Sequence, residues 1–118
     1  MKFTASPPTL VRAFDAAVDS LHGVERRKMF GYPAIFLRGN MVAGLVRDRM
    51  ILRLSETDRA TFLALRGAKP FVAMRGRVMK QWAVVPPAML KSRARLKGWL
   101  ARSLVHGRTL APKRARSR

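Results

Sequence analysis

His22 and His106 are the two histidines of this 118-residue chain, the residue type best suited to proton transfer near neutral pH, and six carboxylates are the other candidates for proton transfer or metal binding. Their spacing assembles neither task. Each histidine falls where a helix is expected to end, a position that suits a positive charge beside helix carbonyls better than a general base. Asp15 and Asp19, four apart on one helix, place two like charges together that would hold a cation or simply be solvated. With no cysteine and only scattered acids, the histidines make no zinc set, and disulfides are excluded. The chain has no Gly-x-Gly-x-x-Gly, no phosphate loop and no serine in a nucleophile elbow. A non-enzymatic protein without metal or cofactor is expected.

Positive charge is the chemistry that remains. The formal net charge is +19 and the sequence pI about 12.0. All six acids (Asp15, Asp19, Glu25, Asp48, Glu56, Asp58) lie in the first 58 residues, and from Arg59 onward there are sixteen basic residues and no acid. Such a half repels itself unless it is spread over a surface or neutralised by a polyanion. Three groups are the candidate nucleic-acid contacts: Arg75, Arg77 and Lys80 around a hairpin; Lys91, Arg93, Arg95 and Lys97 at the start of the last helix; and Lys113, Arg114, Arg116 and Arg118 as a terminal arm. Phosphate contacts of this kind give affinity without sequence selection, each adding about 0.9 to the salt slope on duplex DNA. Tyr32 and Trp82 are the aromatics available for base stacking, although Trp82 also suits packing in the core or on a sheet face. The competing use of the same charge is a solvated face that keeps the protein soluble.

These residues must be positioned by a single domain, since 118 residues leave no room for a second compact core. Hydrophobic content of 48% is ordinary for a globular chain. No apolar run approaches the roughly 18–20 residues needed to span a bilayer, and the N-terminus lacks the apolar core of a secretion signal, so a cytoplasmic protein without membrane contact is expected. The last helix carries basic residues around an apolar stripe, but that stripe is needed for the core.

Pro7 and Pro8 after Ser6 open a first helix, with Leu10, Phe14, Ala17, Val18 and Leu21 on one stripe and Gly23 beyond its end. Residues 26–55 read as three strands with turns at Gly39-Asn40 and Arg47-Asp48-Arg49; Met50, Leu52 and Leu54 make one face of the last strand the more apolar. Charges at Arg26, Arg27 and Lys28 suit a managed sheet edge, or alternatively a dimer or peptide groove. Ser55 and Asp58 form a capping box that opens a second helix running to about Arg66, with Phe62 and Leu65 inward. Residues 70–74 and 78–85 read as two further strands around Arg75-Gly76-Arg77, with Val78, Lys80, Trp82 and Val84 on one face. A last helix from about Ser92 carries Leu96, Trp99, Leu100, Ser103 and Leu104 on one stripe.

A series of short motifs then becomes specific through its order: Arg27-x-Met29-Phe30-Gly31, a hairpin glycine at Gly39, Leu52-Arg53-Leu54, Asp58-Arg59-x-x-Phe62, Lys69-Pro70-Phe71, Val85-Pro86 followed by Leu90, and Leu96-x-x-Trp99. Together, over roughly residues 10–106, they resemble the N-terminal domain of the TfoX/Sxy family, named for regulators of natural competence. The chain departs from the family at Gly31-Tyr32, where Gly-Gly is common, and in lacking acids through its second half. Full-length regulators carry a further C-terminal helical domain, whereas this sequence ends in a basic stretch, so a stand-alone single-domain member is expected. The resemblance implies a secretion-chaperone-like fold and supplies no catalytic residue.

The expectation is therefore an α+β domain of order α-βββ-α-ββ-α, with a five-stranded, largely antiparallel sheet covered by helices. It spans 1–107, and 108–118 is a disordered basic tail. Its expected role is a regulatory or interaction module, homodimeric, with a protein partner in transcription or competence regulation. The alternative is a nucleic-acid binder of low sequence selectivity that uses the basic second half and tail.

Overall fold

The computed structural model describes residues 4–73 and 76–113. Helix α1 (Pro8–Val18) is followed by four strands, β1 (Glu25–Met29), β2 (Tyr32–Leu37), β3 (Asn40–Val46) and β4 (Arg49–Arg53). Helix α2 (Glu56–Leu63), strands β5 (Lys69–Val72) and β6 (Val78–Val84), a short 3-10 helix (Pro87–Lys91) and helix α3 (Arg93–Thr109) complete the chain. All pairings are antiparallel, in the order β1-β2-β3-β4-β6-β5. The α+β architecture is as expected.

Among the described residues the sheet has six strands rather than five. Residues 26–55 hold four strands because the chain also reverses at Phe30-Gly31, so that Met29 faces Tyr32. Both turn residues have left-handed φ, 53° at Phe30 and 86° at Gly31, which is the twist a two-residue hairpin wants but a conformation that a bulky aromatic does not advertise. The second reversal sits one residue earlier than the sequence suggested: Leu37 pairs with Asn40, and Arg38-Gly39 form the loop with φ of 51° and 87°. Strand β1, with Arg26, Arg27 and Lys28, is an edge strand.

Helices α1, α2 and α3 pack on one face of the sheet. Leu10, Phe14, Ala17 and Val18 of α1, Phe62 of α2, and Leu96, Leu100 and Leu104 of α3 share one core with Ile35, Leu45, Met50, Leu52, Ala83 and Val85. The alternation in β4 and β6 thus points its apolar face at the helices, as the residue pattern required. Trp99 meets Phe62 edge-on, with centroids 4.8 Å apart, an arrangement worth about 0.5–1.5 kcal/mol beyond its buried area. Ser55 caps α2 by accepting from the Asp58 N–H at 3.2 Å, and Ser92 caps α3 by accepting from the Arg95 N–H at 3.4 Å.

Helix α3 runs through Gly107 to Thr109, so a domain boundary at 107 falls inside it. The chain then crosses the β2–β3 hairpin. The Arg38 guanidinium donates to the carbonyls of Arg108 (3.0 Å) and Leu110 (2.7 Å), occupying the end of α3 where carbonyls lack helical partners. Asn40 Nδ2 donates to the Ala111 carbonyl, and the Lys113 N–H to the Arg38 carbonyl, each at 2.8 Å. Residues 108–113, expected as part of a loose tail, are held by these backbone-directed bonds rather than by buried side chains. The positions 114–118 lie outside the described residues.

Candidate nucleic-acid interface

Cross-strand partners share a face, so the register defines what the side away from the helices displays. Ala34 pairs with Gly44, Gly44 with Ile51, Ile51 with Val84 and Val84 with Lys69. Ala34, Ile51 and Val84 are buried although no helix among the described residues lies over them. At Gly44 a Cβ would collide with the terminal methyl of Met41, so glycine lets Met41 lie flat on the sheet.

Arginine over aromatic is the recurrent pattern on this face. The Arg27 guanidinium lies 4.8 Å from the Phe36 ring centroid, Arg49 5.6 Å from Phe71, and Arg53 5.9 Å from Trp82. Each such contact is worth about 0.5–1 kcal/mol at an exposed site and more where water is excluded. Lys69 is exposed beside Val84, and Lys80, two residues before Trp82 on β6, is exposed as well. Glu25, an acid on this side, is taken up by Arg27 at 2.8 Å, and that hydrogen bond holds its carboxyl below the usual range. Arg49, Lys69 and Lys80 make no ion pair among the described residues. Arg53 is bound by neutral acceptors, Gln81 Oε1 at 2.7 Å and the Met41 carbonyl at 3.3 Å, and burial lowers its guanidinium pKa from the ordinary value.

Behind Arg53 lies a polar seam between the sheet and the helices. His106 of α3 sits 3.2 Å from Gln81 Oε1. Burial, with the nearby Arg53 charge, lowers its pKa from 6.5, and Asp58 opposes the shift. Asp58 is itself paired with Arg102 at 2.7 Å, which ties α2 to α3. His22 is exposed in the loop after α1. Asp15 and Asp19, the candidate cation pair, are both engaged by Arg26 reaching over from β1. Among the described residues no three of His, Cys, Asp and Glu come together as metal ligands would.

The residues singled out from sequence occupy several places. Arg77 follows Gly76 in the β5–β6 connection, and Lys80 stands on the helix-free face. Lys91 and Arg93 line an open groove of about 400 Å³ between α1 and the start of α3, together with Arg12. Arg95 is exposed and Lys97 half-buried on α3. Lys113 lies across Gly39, where a Cβ would overlap its carbonyl oxygen. Arg75, Arg114, Arg116 and Arg118 lie outside the described residues. Arg27, Arg49, Arg53 and Lys69 were not among the candidates. The signal that could have found them is alternation: Arg49, Ile51 and Arg53 share the side of β4 opposite Met50 and Leu52.

Fold and surface together define a small, basic α+β domain whose antiparallel sheet is covered by helices on one side. No helix among the described residues is long and apolar enough to cross a membrane. The model of the TfoX N-terminal domain matches residues 16–106, and the chain belongs to that family. No curated protein matches it.

Proposed function

We propose that this chain is a non-enzymatic interaction module, a cytoplasmic homodimer with a regulatory role of the kind the TfoX name implies. The observation that carries the interaction-module part of this reading is the half-covered sheet, whose second face is finished among the described residues by long side chains instead of a helix and so presents a broad surface, to a partner other than a second copy, rather than an enclosed cavity. Light scattering at several concentrations tests the dimer, which a monomer mass throughout would rule out.

A second reading is favoured by the charge: the partner is a nucleic acid held through phosphate contacts with little sequence selection. Support comes from the sixteen basic residues after Asp58, from Arg49, Lys69 and Lys80, which have no carboxylate partner among the described residues, and from the basic groove at the start of α3. Salt titration against random DNA and RNA tests it. Micromolar binding near about 50 mM salt that fades as salt rises is expected, and no binding at that salt rejects it. Capture from cells with and without nuclease then separates polyanion carry-over from a protein partner.

A further inference from the structure

We infer that the helix-free face of the sheet is a platform for single-stranded nucleic acid. Bases stack at Trp82 and Phe71, on the rings or on the guanidinium groups over them, while Arg49, Lys69 and Lys80 pair with phosphates. The inference rests on the nucleic-acid reading above and goes beyond it in naming the surface and the strandedness of the ligand.

Charge complementarity selects the class of occupant. Arg49, Lys69 and Lys80 have no carboxylate partner among the described residues, whereas Arg26, Arg27 and Arg102 do. A second copy docked on this face would oppose these cations with the same cations, at a cost that grows as water is excluded. A polyanion neutralises them and releases its counterions.

The rings then select among polyanions. Trp82 and Phe71 are half-buried, each beneath an arginine, at 5.9 Å and 5.6 Å from centroid to guanidinium carbon. Unpaired bases stack on aromatic rings and on guanidinium planes alike, and this is sequence-tolerant because every base has a π-face. A duplex keeps its base faces inside the stack and offers a sheet only its backbone and groove edges. The floor of Ala34, Gly44, Ile51 and Val84 is itself buried, with Met41 lying over Gly44, so a base placed on this face meets the arginine-capped rings rather than the floor.

The test is fluorescence anisotropy with a labelled thymidine oligomer of about 15 nucleotides and a duplex of the same length. Two variant pairs are compared: Lys69→Ala with Lys80→Ala on the sheet face, and Lys91→Ala with Arg93→Ala in the helix-side groove. All four residues are exposed, and thermal melts check that each pair stays folded. The single strand is expected to bind tighter than the duplex; the sheet-face pair should lose about tenfold or more in affinity and the groove pair less than about twofold. In a Trp99→Phe background, the remaining Trp82 emission should be quenched by the oligomer. Tighter duplex binding, a larger loss from the groove pair, or Trp82 emission that does not respond overturns the platform while leaving nucleic-acid binding intact. Polyglutamate competing as well as the oligomer overturns it in favour of an acidic protein partner. No binding of either strand form removes the nucleic-acid reading itself.

Discussion

At the scale of single residues, the chain tolerates side chains that do not suit their positions. Phe30 holds a φ of 53° with the residue 88% exposed, so a left-handed conformation is imposed on an aromatic that buries almost nothing. Phe30→Asn supplies Asn-Gly, the preferred pair for a turn with two positive φ values. It is expected to stabilise by about 1 kcal/mol, a rise of roughly 4 °C in Tm. A fall of that size in calorimetry would mean that the ring is packed. Ser103 is fully buried on α3 with its hydroxyl unpaired among the described residues. Ser103→Ala removes a desolvated hydroxyl and improves helix propensity, and should raise stability by about 1 kcal/mol in urea unfolding. The sign would reverse if the hydroxyl were bonded. His106 has its pKa lowered, so the unfolded chain binds the proton more readily. Its contribution is present above pH 6.5 and lost as pH falls through the folded value. Tm should drop over that interval, and His106→Gln should flatten the drop; an unchanged profile would assign the pH response to other groups.

At the scale of elements, the joint between the end of α3 and the β2–β3 hairpin is the least obvious and the most exposed to test. Arg38 caps the α3 carbonyls from one side, and the Lys113 backbone presses onto Gly39 from the other. Gly39→Ala adds a Cβ both to a residue at φ 87° and into the Lys113 carbonyl, so a loss of about 1–3 kcal/mol is expected. Hydrogen exchange should show faster amide exchange at Lys113 in that variant. Unaltered protection there would mean that the segment is not held by this contact. Leu100, fully buried at the centre of α3, measures the other attachment: Leu100→Ala should cost about 2–5 kcal/mol, as large-to-small changes in packed cores do.

For the whole molecule, a net charge of +19 on 118 residues sets a self-repulsion that salt or a polyanion relieves. Tm should therefore rise as salt is added, and rise further with a bound oligonucleotide. Arg49, Lys69 and Lys80, if each meets one phosphate of a single strand, give a log–log salt slope of about −2, at about −0.7 per contact. A slope near zero would contradict phosphate pairing, and a much steeper one would bring in the groove at Lys91 and Arg93.

Much of this architecture was legible in residue order because local rules suffice for it. Proline at a helix start, Ser55 three residues before Asp58, and the alternation through Met50, Leu52 and Leu54 each depend on neighbours within a few positions. The motif series from Met29-Phe30-Gly31 to Trp99 likewise carries the family, because it is a property of order and spacing. The sixth strand stayed hidden because Phe30 takes a backbone conformation that its type disfavours. The partners of charged residues could not be read at all. Arg26 belongs to Asp15 and Asp19, Arg102 to Asp58, and Arg38 to the carbonyls of α3, across separations that only folding closes. Sequence alone settled that this chain is strongly cationic. Tertiary structure decided which cations are already neutralised and which, on a sheet face without a helix, have no carboxylate partner among the described residues, because pairing depends on distance in space rather than along the chain.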